Sequence, residues 1–155
     1  MVAVGQWVLL AYRLPREPST PRIALWRGLR RLGTVQLLDG LVALPADART
    51  REQLEWLADD VIRAGGEASV WLAQPGSAAH ERALAARMQA EASAEYRRIV
   101  EAARAAAPGA GKRTLGRLRR ELRRVRRRDY FRAPEREIAG AAVEDLARRI
   151  EELAA

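Results

Sequence analysis

Cysteine and asparagine are absent from this chain, and lysine and histidine each occur once. Without cysteine there is no disulfide, no thiolate metal site and no cysteine nucleophile. His80 has no second imidazole or thiolate to share a metal or a proton relay with, so it reads as a surface residue. Metals and cofactors are therefore not expected. Long hydrophobic runs are also missing. The longest, Trp7 to Tyr12, falls far short of the ~18–20 residues that cross a bilayer. The first residues carry neither a basic start nor a small-residue cleavage site, so no signal peptide is expected. These absences point to a cytoplasmic protein with no membrane association.

What is present is arginine, and it is unevenly placed. Lys112 to Arg132 holds eleven basic residues and two acids, Glu121 and Asp129, a net of +9 in a chain of net +8. The remaining 134 residues together carry −1. A near-neutral body with one intensely basic segment calls for a polyanionic partner, most economically DNA. At 155 residues the chain holds one ordinary domain, or a small domain with a helical appendage.

Hydrophobic periodicity supplies the elements. Gln6 to Leu14 reads as a buried strand, followed by a turn rich in proline. Thr20 as N-cap with Pro21 behind it starts a helix whose stripe is Leu25, Trp26, Leu29 and Leu32, and Gly33 stops it. Val35–Leu38 and Leu41–Leu44 flank Asp39-Gly40, a strong hairpin signal. Thr50 to Gln53 has the form of a capping box, and Leu54, Leu57, Ala58, Val61 and Ile62 make the next stripe. Glu67 to Ala73 reads as a fourth strand, with Val70, Trp71 and Leu72 at its centre. Strand, helix, strand, strand, helix, strand is the pattern of a ferredoxin-like βαββαβ sandwich, an α+β fold. That domain is expected over residues 1–75, with edge strands and small size favouring a homodimer.

Residues 76–155 change composition and predict three helices. The first is capped by Ser77 and runs to about Ala107, with Leu84, Met88, Tyr96, Ile99 and Ala103 on one face. Pro108 to Gly111 breaks it. The second, about 114–132 with Thr114 as its cap, is the basic one. The third carries Ile138, Ala142, Leu146, Ile150 and Leu153. Within the basic helix Leu115, Leu118, Leu122 and Val125 recur three and four apart, so they share a face. Arg117, Arg120, Arg124, Arg127 and Arg128 then lie roughly opposite, with Arg119, Arg123 and Arg126 flanking. Guanidinium groups on that surface suit a phosphate backbone. With no asparagine, base readout would rest on arginine to guanine or on DNA shape. The competing reading is an intramolecular charge sandwich. Glu95, Glu101, Glu135 and Glu144, among others on the neighbouring helices, are candidates to neutralise the arginines. An anionic membrane surface or an acidic protein partner is a further alternative.

Other motifs do not survive inspection. Gly109 to Thr114 glances at a phosphate-binding loop, but Ala106 stands where its first glycine belongs and Arg113 where Ser or Thr follows the lysine. Asp39 is explained by its turn. Asp59 and Asp60 are adjacent on a helix and point apart. Trp7, Trp26, Trp56 and Trp71 read as core or interface residues, with Trp56 off the main stripe. No acid pair sits at a strand end as a nuclease would need, so no enzymatic activity is expected.

Several segments in order resemble the N-terminal domain of ChrB-type chromate-resistance proteins. They are Gln6 to Pro15 (QWVLLAYRLP), Arg22 to Gly33 (RIALWRGLRRLG), Leu37 to Pro45 (LLDGLVALP) and Gly65 to Leu72 (GGEASVWL). Glu95 to Ile99 (EYRRI) and Leu118 to Phe131 (LRRELRRVRRRDYF) continue the set. The first half also looks like the ferredoxin-like module of phenylacetate-type repressors. The resemblance implies a DNA-binding transcriptional regulator of a chromate-resistance operon, with an oxyanion such as chromate as a possible effector. Longer members of that family carry a further C-terminal domain.

Overall fold

The computed structural model describes residues 5–107, 109 and 111–155. The protein is α+β, with a four-stranded antiparallel sheet and five helices among the described residues. The elements run β1 (Trp7–Arg13), α1 (Thr20–Leu32), β2 (Val35–Leu38), β3 (Leu41–Pro45), α2 (Ala48–Arg63), β4 (Glu67–Ala73), α3 (Ala78–Ala105), α4 (Gly111–Arg127) and α5 (Glu135–Ala154). The chain divides into two compact units, Met1–Arg87 and Met88–Ala155.

In the first unit the sheet order is β2-β3-β1-β4. β1 is central, pairing Val8 with Leu44 and Leu10 with Val42 on one side, and the same residues with Leu72 and Val70 on the other. Period-two alternation puts Val8 and Leu10 on one face and Trp7 on the other, and all three are buried. Leu25, Leu29, Leu54 and Val61 from α1 and α2 are buried with them. On the tryptophan face, Glu81 in the first turn of α3 accepts from Trp7 Nε1 at 2.9 Å and from the Gly5 amide at 2.8 Å. α1 approaches α2 closely at Gly28, where a Cβ would stand 3.0 Å from Leu57 Cδ2.

The β2–β3 hairpin turns at Asp39-Gly40 as expected. Gly40 has φ +76°, and a Cβ there would lie 2.5 Å from the Tyr12 carbonyl oxygen. Tyr12 N–H donates to Gly40 O at 2.8 Å, fastening the turn to the end of β1. Only glycine fits that approach.

Several local expectations shift. α1 begins at Thr20, so the cap position is Ser19, which makes no side-chain cap. The N-cap of α2 stands three residues before the expected one. Asp47 is the N-cap and accepts from Thr50 N–H at 2.7 Å, while Thr50 Oγ1 accepts from Asp47 N–H at 2.9 Å and donates to Pro45 O at 2.7 Å. The Asp47 carboxylate, just upstream, caps the Thr50 amide itself, and so starts the helix before Thr50 can act as its cap. Trp26, Trp56 and Trp71 are exposed, and only Trp7 joins the core. Ile62 and Leu72 are exposed as well. β4 is an edge strand, so Trp71 and Leu72 lack a neighbour on one side.

In the second unit, one cluster joins all three helices: Tyr96, Ile99 and Ala103 of α3, Leu118 and Leu122 of α4, and Val143 and Leu146 of α5. Ser77 caps α3, its hydroxyl accepting from His80 N–H at 3.1 Å. α4 starts at Gly111, which puts Thr114 inside the first turn rather than at a cap. It ends at Arg127, short of the expected Arg132. The break expected over Pro108–Gly111 falls partly outside the described residues. In α5 the inward stripe is Ala139, Ala142, Val143, Leu146 and Ala147, while Ile138 and Leu153 are exposed. Small residues on that face let α4 pack close: Arg126 lies over Gly140, where a Cβ would stand 2.7 Å from its Nη2.

Candidate nucleic-acid interface

α4 is built from two incompatible surfaces. Leu115, Leu118, Leu122 and Val125 are all buried, which fixes the helix's rotation about its axis. Arg117, Arg119, Arg120, Arg123, Arg124 and Arg127 are exposed on the remaining surface. Burying four apolar side chains at about 1.5–3 kcal/mol each holds this cationic face outward against its own repulsion.

Neighbouring acids take some of that charge. Arg117 pairs with Glu121 one turn on at 3.2 Å, and Arg119 reaches Glu144 of α5 at 3.8 Å, both in solvent. Exposed pairs of this kind contribute at most about 1 kcal/mol and exchange readily for a phosphate. Arg128 differs. It is half-buried and forms a two-pronged ion pair with Glu95 of α3. The expectation that Arg128 faces outward opposite the leucines is thus corrected: the helix has ended at Arg127 and the chain turns inward there. Arg126 is also only partly exposed, laid across Gly140. Arg120, Arg123 and Arg124 make no ion pair among the described residues. The charge sandwich is therefore partial, engaging Glu95 and Glu144.

Beneath this surface lies a polar knot that the sequence reading missed. Asp129 is buried, with its side chain 1% exposed. Its carboxylate accepts from Tyr96 Oη at 2.8 Å, from Ala133 N–H at 3.0 and 3.1 Å, and from Arg136 Nη1 at 3.3 Å. Arg136 Nη1 also reaches the Arg126 carbonyl at 3.4 Å. The knot ties α3, the end of α4 and the start of α5 together, so it sets where the arginine face ends. Burial and the neighbouring Asp129 carboxylate both push the Tyr96 hydroxyl well above the usual tyrosine range. Nearby, a hydrogen bond from Ser93, with help from its own backbone amide and Arg97, holds the Glu135 carboxyl below its ordinary value. The one available signal was an aspartate beside Tyr130 and Phe131 at the end of the arginine-rich segment, to which no structural role was assigned.

The family described as Protein ChrB, N-terminal, matches residues 22–106, more than half of the chain. The chain belongs to this family. The resemblance read from the ordered segments is thereby confirmed, with the match running from α1 into α3. β1 and α4 lie outside the matched range. Protein ChrB of Cupriavidus metallidurans is 34% identical over 90 residues, covering 58% of this chain and 27% of that protein. The chain thus spans about a quarter of this curated relative. No solved structure matches it. No helix among the described residues is long and apolar enough to cross a membrane, and no group of three or more potential metal ligands is present among them.

Proposed function

We propose that this protein is a non-enzymatic, DNA-binding regulator of chromate resistance that grips the phosphate backbone with α4. One observation carries the reading: Arg120, Arg123 and Arg124 stand exposed and without acidic partners on a helix locked by a buried leucine stripe. Family membership supports the link to chromate resistance. In this reading the protein is a cytoplasmic homodimer, matching the two-fold symmetry of operators, and an oxyanion such as chromate is its effector. The sheet order β2-β3-β1-β4 with βαββαβ succession is read as the ferredoxin-like sandwich that carries the helical half.

Salt titration of DNA binding tests this. Six exposed arginines at phosphates give a log–log slope of about −5, at ~0.9 per contact. Replacing Arg120, Arg123 and Arg124 with Ala is expected to flatten it to about −3 and weaken binding to all sequences alike. An unchanged slope would sink the proposal.

A second reading has its own support in the Arg119–Glu144 and Arg128–Glu95 pairs. Here the basic helix serves an adaptor that pairs with acids, its own or a partner's. A stable complex with an acidic protein, alongside no DNA affinity at physiological salt, would favour it.

A further inference from the structure

The first unit has a feature that the DNA reading leaves unused. An open groove of about 810 Å³ lies where β1 runs out, α1 begins and the β2–β3 hairpin turns. Tyr12, Ile23 and Trp26 give it apolar and aromatic walls. Arg13, Arg16 and Arg22 enter it from the end of β1 and the start of α1, while Gln36 and Asp39 enter from the hairpin. The lining is thus divided by element: cations from one part of the chain, an acid and an amide from another.

The arginines are available. Arg16 and Arg22 are exposed and make no ion pair among the described residues. Arg13 pairs with Glu67 at 2.9 Å, but both side chains are 78% exposed, so that pair competes weakly with a ligand. The aromatic wall is held ready. Trp26 is 58% exposed, and the Arg30 guanidinium sits 5.1 Å from its ring centroid. At the hairpin, Gln36 Nε2 donates to Asp39 Oδ1 at 3.2 Å, leaving the second carboxylate oxygen as an acceptor. Asp39 also acts on Tyr12, whose hydroxyl burial, first, and that carboxylate, second, raise above its usual range.

Size decides what class of ligand this suits. Sites for cofactor-sized molecules are about 300–1,000 Å³, so this groove holds far more than a four-oxygen anion. We infer that the groove is a binding site for a nucleoside phosphate. The phosphates meet Arg13, Arg16 and Arg22, the base lies against Trp26 and Tyr12, and an amino or imino hydrogen on the base edge donates to Asp39. Arginine suits phosphate through paired N–H donors, and an aromatic face adds about 1–3 kcal/mol per stacked base. A purine with donors on that edge, as in guanine, makes the fullest use of Asp39.

Isothermal titration of the full chain with GTP, ATP, inorganic phosphate and chromate tests the site. GTP is expected to bind at least about tenfold more tightly than inorganic phosphate or chromate. Arg16→Ala with Arg22→Ala is expected to weaken GTP by about tenfold or more, and Asp39→Asn to erase the preference for GTP over ATP. Because α4 could hold a triphosphate non-specifically, the Arg120, Arg123, Arg124 triple alanine variant is included and should leave GTP affinity unchanged. Quenching of tryptophan fluorescence by GTP, lost in Trp26→Phe, reads the same site without touching an arginine. Nucleotides that bind no better than inorganic phosphate, binding abolished by the α4 variant, or quenching that survives Trp26→Phe would each overturn the assignment. Failure of the DNA proposal would leave these outcomes unaffected.

Discussion

Replacing Asp129 with Ala removes the centre of the second unit's polar knot, and the structure sets the scale of the loss. Four hydrogen-bond contacts go at once, and their partners differ in what rescues them. Tyr96 is 0% exposed, so its hydroxyl has no water to turn to. Arg136 is partly exposed, with a side chain 22% accessible, and recovers some hydration. Breaking a buried ion pair from one side costs about 3–5 kcal/mol. The exposure of Arg136 places Asp129→Ala near the lower bound, about 3 kcal/mol. For a chain of this length that corresponds to about 6–12 °C in melting temperature. Tyr96→Phe loses the bond the hydroxyl donates to Asp129 and the longer one it accepts from Arg136 at 3.4 Å, but leaves Asp129 its other donors, so about 1–2 kcal/mol is expected. Urea titration followed by far-UV circular dichroism measures each. All four tryptophans lie in the first unit, so their fluorescence reports that unit separately. The double variant should cost at least about 0.5 kcal/mol less than the sum of the two singles, because they share one interaction. A loss below about 1 kcal/mol for Asp129→Ala, or strict additivity, would refute the view that this carboxylate holds the helices together.

Three further outcomes are expected. Leu118→Ala empties a fully buried position in the three-helix core and should cost about 2–5 kcal/mol in the same urea titration. Gly40→Ala forces a left-handed backbone and a contact with the Tyr12 carbonyl. It should destabilise the first unit by about 1–3 kcal/mol, seen as an earlier transition in tryptophan fluorescence. In alkali, the raised Tyr96 group favours the protonated folded state. Its contribution is complete below the unfolded value near 10 and lost as pH rises beyond it, so stability measured from pH 9 upward should fall less steeply in Tyr96→Phe than in the native chain.

The parts of this protein that were legible in its sequence are those that depend on near neighbours along the chain. Asp39-Gly40 between apolar runs specified a hairpin, because the turn needs a positive φ and glycine supplies it. The spacing of Leu115, Leu118, Leu122 and Val125 specified the buried face of α4 and, by subtraction, the arginine face. The succession of strands and helices followed in the same way. Caps were less secure: Asp47 accepts from the Thr50 amide, so Thr50 became the third residue of the box rather than its cap, and one upstream carboxylate moved the start of α2.

Tertiary structure alone decided what stands opposite each residue. Periodicity gives the direction a side chain takes from its own helix or strand, but carries no information about the element it meets. Arg128 continued the arginine pattern in sequence, yet it turns inward to Glu95, thirty-three residues away. Asp129 looked like a stray acid and proved to be the junction of three helices. Trp71 had a core residue's chemistry and stands on an edge strand. Arg13, Arg16 and Arg22, too dispersed to register as a charge run, meet at one groove only because β1 ends, α1 begins and the hairpin turns at the same place.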